Sequence, residues 1–221
     1  MPEAVIFDID GTLVDSVNFH AEAWVKAFER YGYHADFEDV RQQIGKGGEY
    51  ILPEFISPEE VEKDGEKISD YRKQYYQENL LPKVQSFPKV KELFERVKAD
   101  GTRIILASSA RPKTVEHYKE LLGIKDLIDG VTSTGDVEQA KPEPDIFLAA
   151  LNHLEGASRE SVIVVGDSPY DAEAAEKISL STVGVLCGGF SEKVLKEAGC
   201  IAVYKDPADL LDRYEESPLN S

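Results

Sequence analysis

Ala4-Val5-Ile6-Phe7-Asp8-Ile9-Asp10-Gly11-Thr12-Leu13 is the stretch on which the fold turns. Four apolar residues in an unbroken run read as a short strand buried on both faces, and the run stops at a carboxylate. Comparable runs recur at Ile104-Ile105-Leu106-Ala107 and at Val162-Ile163-Val164-Val165. Weaker ones occur at 130–133, 181–186 and 201–204. Helical spacing lies between them. Val90, Leu93, Phe94 and Val97 recur at i, i+3, i+4 and i+7. Val115, Tyr118, Leu121 and Leu122 mark a second helix, which stops at Gly123, and Pro142 opens a third that carries Ile146, Phe147, Ala150, Leu151 and Leu154. Strand and helix alternate from about residue 88 onward. The expected fold class is therefore α/β: a Rossmann-like parallel sheet with helices on both faces.

Residues 15–87 break that rhythm. Ala21, Trp24, Val25 and Phe28 share one helical face, and Ile68, Tyr71 and Tyr75 mark another in a charge-dense stretch. No strong strand run lies between them, and Pro82 and Pro88 flank the exit. This reads as a small helical domain inserted directly after the first strand. An insertion there belongs at the C-terminal end of the sheet, where open α/β folds bind ligands, and would act as a lid.

The 221 residues carry 25 Lys plus Arg against 42 Asp plus Glu, a formal charge of -17. Such a surface repels phosphate backbones at long range, which excludes nucleic acid and an anionic membrane as expected partners. No run approaches the length of a membrane helix, and the start Met1-Pro2-Glu3-Ala4 lacks the pattern of a signal peptide. Cys187 and Cys200 provide neither a disulfide framework nor a zinc spacing, so both are expected as reduced thiols in the cytoplasm. The polar last residues are expected to fray.

Four places carry chemistry. Asp8 and Asp10 leave a buried strand two residues apart, a costly arrangement unless a divalent cation offsets it; Gly11 allows the turn that would bring the Asp10 backbone to the same ion. Asp167 ends the strand at 162–165, and Asp171 falls in the first turn of the next helix. Two strand tips with paired acids suggest one shared magnesium site. Ser108 and Ser109 end the strand at 104–107 ahead of a helix opened by Pro112, the makings of an anion cradle. Lys141 could neutralise a phosphate among the carboxylates. Each feature has a plainer reading: a helix-cap pair in a βα loop for Asp8 and Asp10, an N-cap for Ser108, an N-cap and a dipole-favoured acid for Asp167 and Asp171, a solvated loop lysine for Lys141.

In order and approximate spacing, Asp8 to Thr12, Ser108, Lys141 and Gly166 to Asp171 resemble the four motifs of the haloacid dehalogenase-like hydrolase superfamily. The resemblance spans nearly the whole chain. Asp15-Ser16 through His20, and Lys141-Pro142-Glu143-Pro144-Asp145-Ile146-Phe147, narrow it to the phosphoglycolate phosphatase and β-phosphoglucomutase branch. The resemblance implies a catalytic core at 1–14 and 88–215, a helical cap at 15–87 and a tail at 216–221. It implies Asp8 as the nucleophile that becomes an aspartyl-phosphate, Asp10 as acid and base, and Ser108, Ser109 and Lys141 as phosphate holders. It implies Mg2+ held by Asp8, the Asp10 carbonyl and Asp167, with Asp171 in support. His20, Lys46 in its glycine-flanked loop, and Arg111 become candidate substrate contacts. The presence of Asp10 argues against dehalogenase and phosphonoacetaldehyde hydrolase chemistry.

The expected activity is magnesium-dependent hydrolysis of a small phosphorylated metabolite by a cytoplasmic monomer or weak dimer. The alternatives are a sugar-phosphate mutase using the same aspartyl-phosphate, and a non-catalytic binding module on the same scaffold.

Overall fold

The computed structural model describes residues 1–133 and 139–220. The expected runs form a six-stranded parallel sheet: β1 (Ala4–Phe7), β4 (Arg103–Ala107), β5 (Gly130–Thr132), β6 (Val162–Gly166), β7 (Ser181–Val185) and β8 (Cys200–Tyr204), in the order β5-β4-β1-β6-β7-β8. β1 lies at the centre of the register, with Phe7 opposite both Leu106 and Val165. The chain builds outward from β1 to β4 and β5, then crosses back to β6 on the other side. In open sheets of this kind, ligands bind where the strand order reverses, here outside the C-terminal ends of β1 and β6.

Side-chain alternation divides the strand residues between two helical layers. Ala4 and Ile6, with Ile105, Val162 and Val164, pack against Phe147 and Ala150 of α7 (Asp145–Leu151) and Ala174 and Ala175 of α8 (Pro169–Glu176). Phe7 points the opposite way and meets Phe94 of α5 (Val90–Ala99), ring centroids 4.6 Å apart. Burial on both faces is why these strands are continuous apolar runs. α6 (Pro112–Leu122), α9 (Glu192–Glu197) and α10 (Pro207–Asp212) complete the helices of this unit.

Two expectations need correction. The third expected helix starts at Asp145 and ends at Leu151, so Leu154 is a buried core residue beyond the helix. The C-terminal stretch is anchored where fraying was expected: Leu219 is fully buried, and the buried Ser217 hydroxyl donates to the Tyr214 carbonyl over 2.7 Å.

The chain divides into two compact units, one of residues 1–15 with 86–221 and the other of residues 16–85. Short strands β2 (Val14–Asp15) and β3 (Gln85–Ser86) pair where the chain passes from one to the other. The smaller unit is helical: α1 (Val17–Arg30), α2 (Phe37–Arg41), α3 (Gly48–Phe55) and α4 (Pro58–Tyr75), the last continuing into a wider turn at 76–80. It has its own core, in which Trp24 and Phe28 of α1 meet Val40, Ile51, Leu52 and Ile68. No helix among the described residues is long and apolar enough to cross a membrane.

Candidate active site

The loop after β1 is fixed from below. Ile9 and Leu13 are fully buried, and the Ile9 carbonyl accepts from the N–H groups of Thr12, Leu13 and Val14 at 3.2, 2.8 and 3.2 Å. Gly11 takes φ 85° in this turn. The period-2 alternation of an extended chain then puts Asp8 and Asp10 on the side opposite Ile9. The Asp8 N–H donates to the Val165 carbonyl over 2.9 Å, which joins the tip of β1 to that of β6.

Three carboxylates meet at these tips. Asp8, Asp167 and Asp171 are 7, 4 and 1 % exposed, and each offers an oxygen within 4.8 Å of the others. Lys141 enters the cluster almost wholly buried. Its Nζ lies 2.5 Å from Asp8 Oδ1 and 2.7 Å from Asp171 Oδ1. Lys141 is thus a buried cation bridging two acids, not a solvated loop residue. Thr12 was quoted in the sequence without a role; its hydroxyl stands 3.2 Å from Asp8 Oδ2 and 3.0 Å from Asp167 Oδ1. With one proton to donate, it serves either carboxylate in turn. Asp171 Oδ2 accepts from the Ser168 N–H and hydroxyl at 3.1 and 2.6 Å, the arrangement of a helix-start capping pair. Both oxygens of Asp171 are therefore engaged, by Ser168 and by Lys141.

Three carboxylates against one ammonium leave the buried cluster with a formal charge of -2. The protonation energetics register that excess. Burial pushes Asp8 up to about 7; Lys141 opposes the rise, and Asp171 and Asp10 add to it. Burial, then Asp171 and Asp8, hold Asp167 well above the ordinary carboxylate range. Burial pulls the Lys141 ammonium down, but Asp171 and Asp8 outweigh it, so its affinity for the proton is raised.

Two glycines make room for the acids. A Cβ on Gly188 would lie 1.7 Å from Asp167 Oδ2, and one on Gly166 would lie 2.5 Å from Asp171 Cγ. Gly188 escaped the sequence reading because it lies beyond β7, and nothing local marks it. Cys187 beside it sends Sγ to within 3.2 Å of the Gly11 carbonyl; burial, then Asp167, keeps its proton on.

The remaining candidates fall as follows. Ser108 is fully buried at the end of β4, where its Oγ accepts from the Ala110 N–H over 3.0 Å. Ser109 and Arg111 are exposed. Asp10 is half-buried, and Tyr118 Oη donates to its Oδ1 over 3.0 Å. In the helical unit, His20 stacks on Tyr76 with centroids 4.0 Å apart, and its Nδ1 accepts from Arg72 Nη2 at 2.8 Å. Lys46 is half-buried and bonded to Gln43 Oε1 at 2.5 Å and Glu54 Oε1 at 3.0 Å.

A cluster of hard oxygen donors with an unbalanced charge can hold a divalent cation, and carboxylates suit that class of ion. Comparison with known proteins places the chain in a family. A sequence profile of the haloacid dehalogenase-like hydrolases matches residues 5–185. The phosphorylated carbohydrates phosphatase of Thermotoga maritima is 30 % identical over 218 residues, covering 97 % of this chain and 99 % of that protein. The phosphoglycolate phosphatase of Aquifex aeolicus is 25 % identical over 185 residues, covering 83 and 84 % of the two chains. Among solved structures, a hydrolase from Pseudomonas syringae superposes with a TM-score of 0.85 at 31 % identity, over 97 % of this chain and 98 % of that one. On sequence and fold alike, the chain belongs to the haloacid dehalogenase-like hydrolases.

Proposed function

We propose that the protein is a magnesium-dependent phosphatase that cleaves a small phosphorylated metabolite through an aspartyl-phosphate on Asp8. The observation that carries this reading is the buried cluster at the tips of β1 and β6, where three acids meet one lysine and burial with crowding raises the proton affinity of Asp8 and Asp167. Asp8, Asp167 and the main-chain carbonyl of Asp10 would hold the ion. Asp171, engaged by Ser168 and Lys141, would support it. The pocket left by the missing side chain of Gly188 suits a ligand carboxylate at Asp167. When bound, the cation supplies countercharge for the cluster and the incoming phosphate.

The chain's own residues divide the remaining work. Lys141 holds the Asp8 carboxylate in one orientation, with Thr12 as a second donor within reach, which lowers the entropic cost of attack on phosphorus. As the new Asp8–phosphorus bond forms, the bond to the ester oxygen breaks and its electron pair leaves with that oxygen. Asp10 gives the departing oxygen a proton. Its carboxylate then takes a proton from the water that cleaves the aspartyl-phosphate. Ser108, Ser109 and Lys141 are assigned to the phosphate. His20, Lys46 and Arg111 are assigned to the non-reacting part of the substrate, and the helical unit is assigned the role of lid. The names of the T. maritima and A. aeolicus relatives support a sugar phosphate or a small phosphorylated acid as the substrate class.

The test is a panel of phosphorylated metabolites incubated with magnesium chloride while inorganic phosphate is followed. Release from at least one member is expected. Asp8→Asn should lower it by at least about 10³-fold with the fold intact, since an amide cannot form the acyl-phosphate. Retention of more than a few per cent of the rate, after controls for deamidation, would remove Asp8 as nucleophile. Isomerised sugar in place of free phosphate would identify a mutase.

A further inference from the structure

Tyr118 is one of the largest fully buried side chains in the molecule. It lies on α6, whose other buried residues include Val115 and Leu122. Packing at this position asks only for a ring, and phenylalanine would provide one. A buried hydroxyl is costly unless it finds a partner. Here it reaches Asp10 Oδ1, 3.0 Å away on a loop 108 residues distant in sequence. That loop is itself held by the three hydrogen bonds to the Ile9 carbonyl, so donor and acceptor sit on separately fixed elements.

We infer that Tyr118 is a positioning residue for Asp10: by donating to Oδ1 it fixes the plane of the carboxyl and assigns the transferable proton to Oδ2. The inference rests on the acid and base role given to Asp10 above. In the protonated acid the carbonyl-type oxygen is the better acceptor, so a phenol bound to Oδ1 leaves the proton on Oδ2. As the phosphorus–oxygen bond breaks, its electron pair passes to the ester oxygen, and the Oδ2 proton follows. Asp10 is left as a carboxylate, which the same phenol stabilises through a charge-assisted bond. Without the hydroxyl Oδ1 loses this donor, and either oxygen can carry the proton. The resulting defect scales with how much the leaving group needs that proton. An alkoxide needs it badly; a p-nitrophenolate hardly at all.

The experiment compares wild type with Tyr118→Phe in magnesium on p-nitrophenyl phosphate, phenyl phosphate and glycerol 3-phosphate, with kcat/KM and Tm measured for each protein. The variant should lose about 10- to 100-fold on glycerol 3-phosphate and less than about 3-fold on p-nitrophenyl phosphate, giving a steeper dependence on leaving-group basicity. In an Asp10→Asn background the same substitution should add no further loss, because the group it positions is gone. A purely structural tyrosine predicts equal losses across the three esters, and losses that persist when Asp10 is asparagine; either result overturns the assignment. If wild type releases phosphate and Tyr118→Phe shows no leaving-group dependence, only the role of Tyr118 fails. If wild type releases phosphate from none of the three esters or the metabolite panel, the phosphatase reading fails and this inference with it.

Discussion

Gly188 shows how one missing side chain can set the geometry of a site. Asp167 Oδ2 occupies the space that a Cβ at 188 would fill, and a separation of 1.7 Å is far inside any contact the atoms could share. Gly188→Ala must therefore displace Asp167 or the turn after β7. If Asp167 holds the ion as proposed, a shift of the order of 1 Å there costs about 10²-fold in rate, so a loss of that size in kcat is expected. Steady-state kinetics at saturating magnesium would check it, and activity within a few-fold of wild type would mean that the turn yields instead of the carboxylate. The carboxylates also set a pH dependence in metal-free protein. Asp8 is raised from 3.8 to about 7, with burial the largest cause, and Asp167 moves in the same direction. A carboxyl whose pKa is raised by folding binds a proton that the unfolded chain has already released. Its contribution is present in full below pH 4 and is lost as pH climbs through 7. The Asp8 and Asp167 groups thus make the metal-free protein less stable at pH 8 than at pH 5. Asp167→Asn removes one buried charge. In EDTA it should raise Tm relative to wild type at pH 8, with the difference shrinking toward pH 5. Magnesium should raise the wild-type Tm more than that of the variant. Melting curves at the two pH values, with and without the ion, would reveal a variant that gains nothing at pH 8, and that result would contradict the buried-charge account.

The helices of the smaller unit are held by local chemistry as much as by packing. Ser57 starts α4 by accepting from the Glu60 N–H at 3.4 Å, while Glu60 Oε2 accepts from the Ser57 N–H at 2.8 Å. Removing an N-cap hydroxyl typically costs about 1 kcal/mol. Ser57→Ala should cost that much in a denaturation series, and Ser57→Asp, which keeps an acceptor, much less. What was legible in the sequence follows the same division between local and distant causes. β1, β4 and β6 announce themselves because burial on both faces demands unbroken apolar runs. Asp8, Asp10, Asp167 and Asp171 announce themselves because acids at buried strand tips are costly. α2 was invisible because five residues are too few to show a period. α3 was hidden because it opens with Gly47 as cap and Gly48 as first residue and carries Pro53 within, so the stretch read as a glycine-rich loop. Tyr118 read as one more apolar residue on a helical face. Its hydroxyl has meaning only beside Asp10, and Gly188 has meaning only beside Asp167. Both are contacts between segments far apart in sequence, which no local pattern encodes.

At the scale of the whole molecule, a charge of -17 bears on how an anionic substrate approaches. Lys141, the cation seated in the acid cluster, is already shared between Asp8 and Asp171. Away from the site, a phosphate dianion meets a net repulsive field. Salt screens that field: the Debye length shortens from about 30 Å at 0.01 M to about 8 Å at 0.15 M. Raising ionic strength over this range at constant free magnesium should therefore increase kcat/KM for a phosphate monoester a few-fold. The effect should be carried by KM, since chemistry inside the buried cluster is screened much less. The sign is diagnostic. A rate that falls with added salt would mean that cations of the larger unit, Arg111 among them, outweigh the global field. A rise confined to kcat would place the effect on the chemistry. Only a rise carried by KM shows that the acidic surface as a whole governs encounter, leaving recognition to contacts made after the substrate has crossed it.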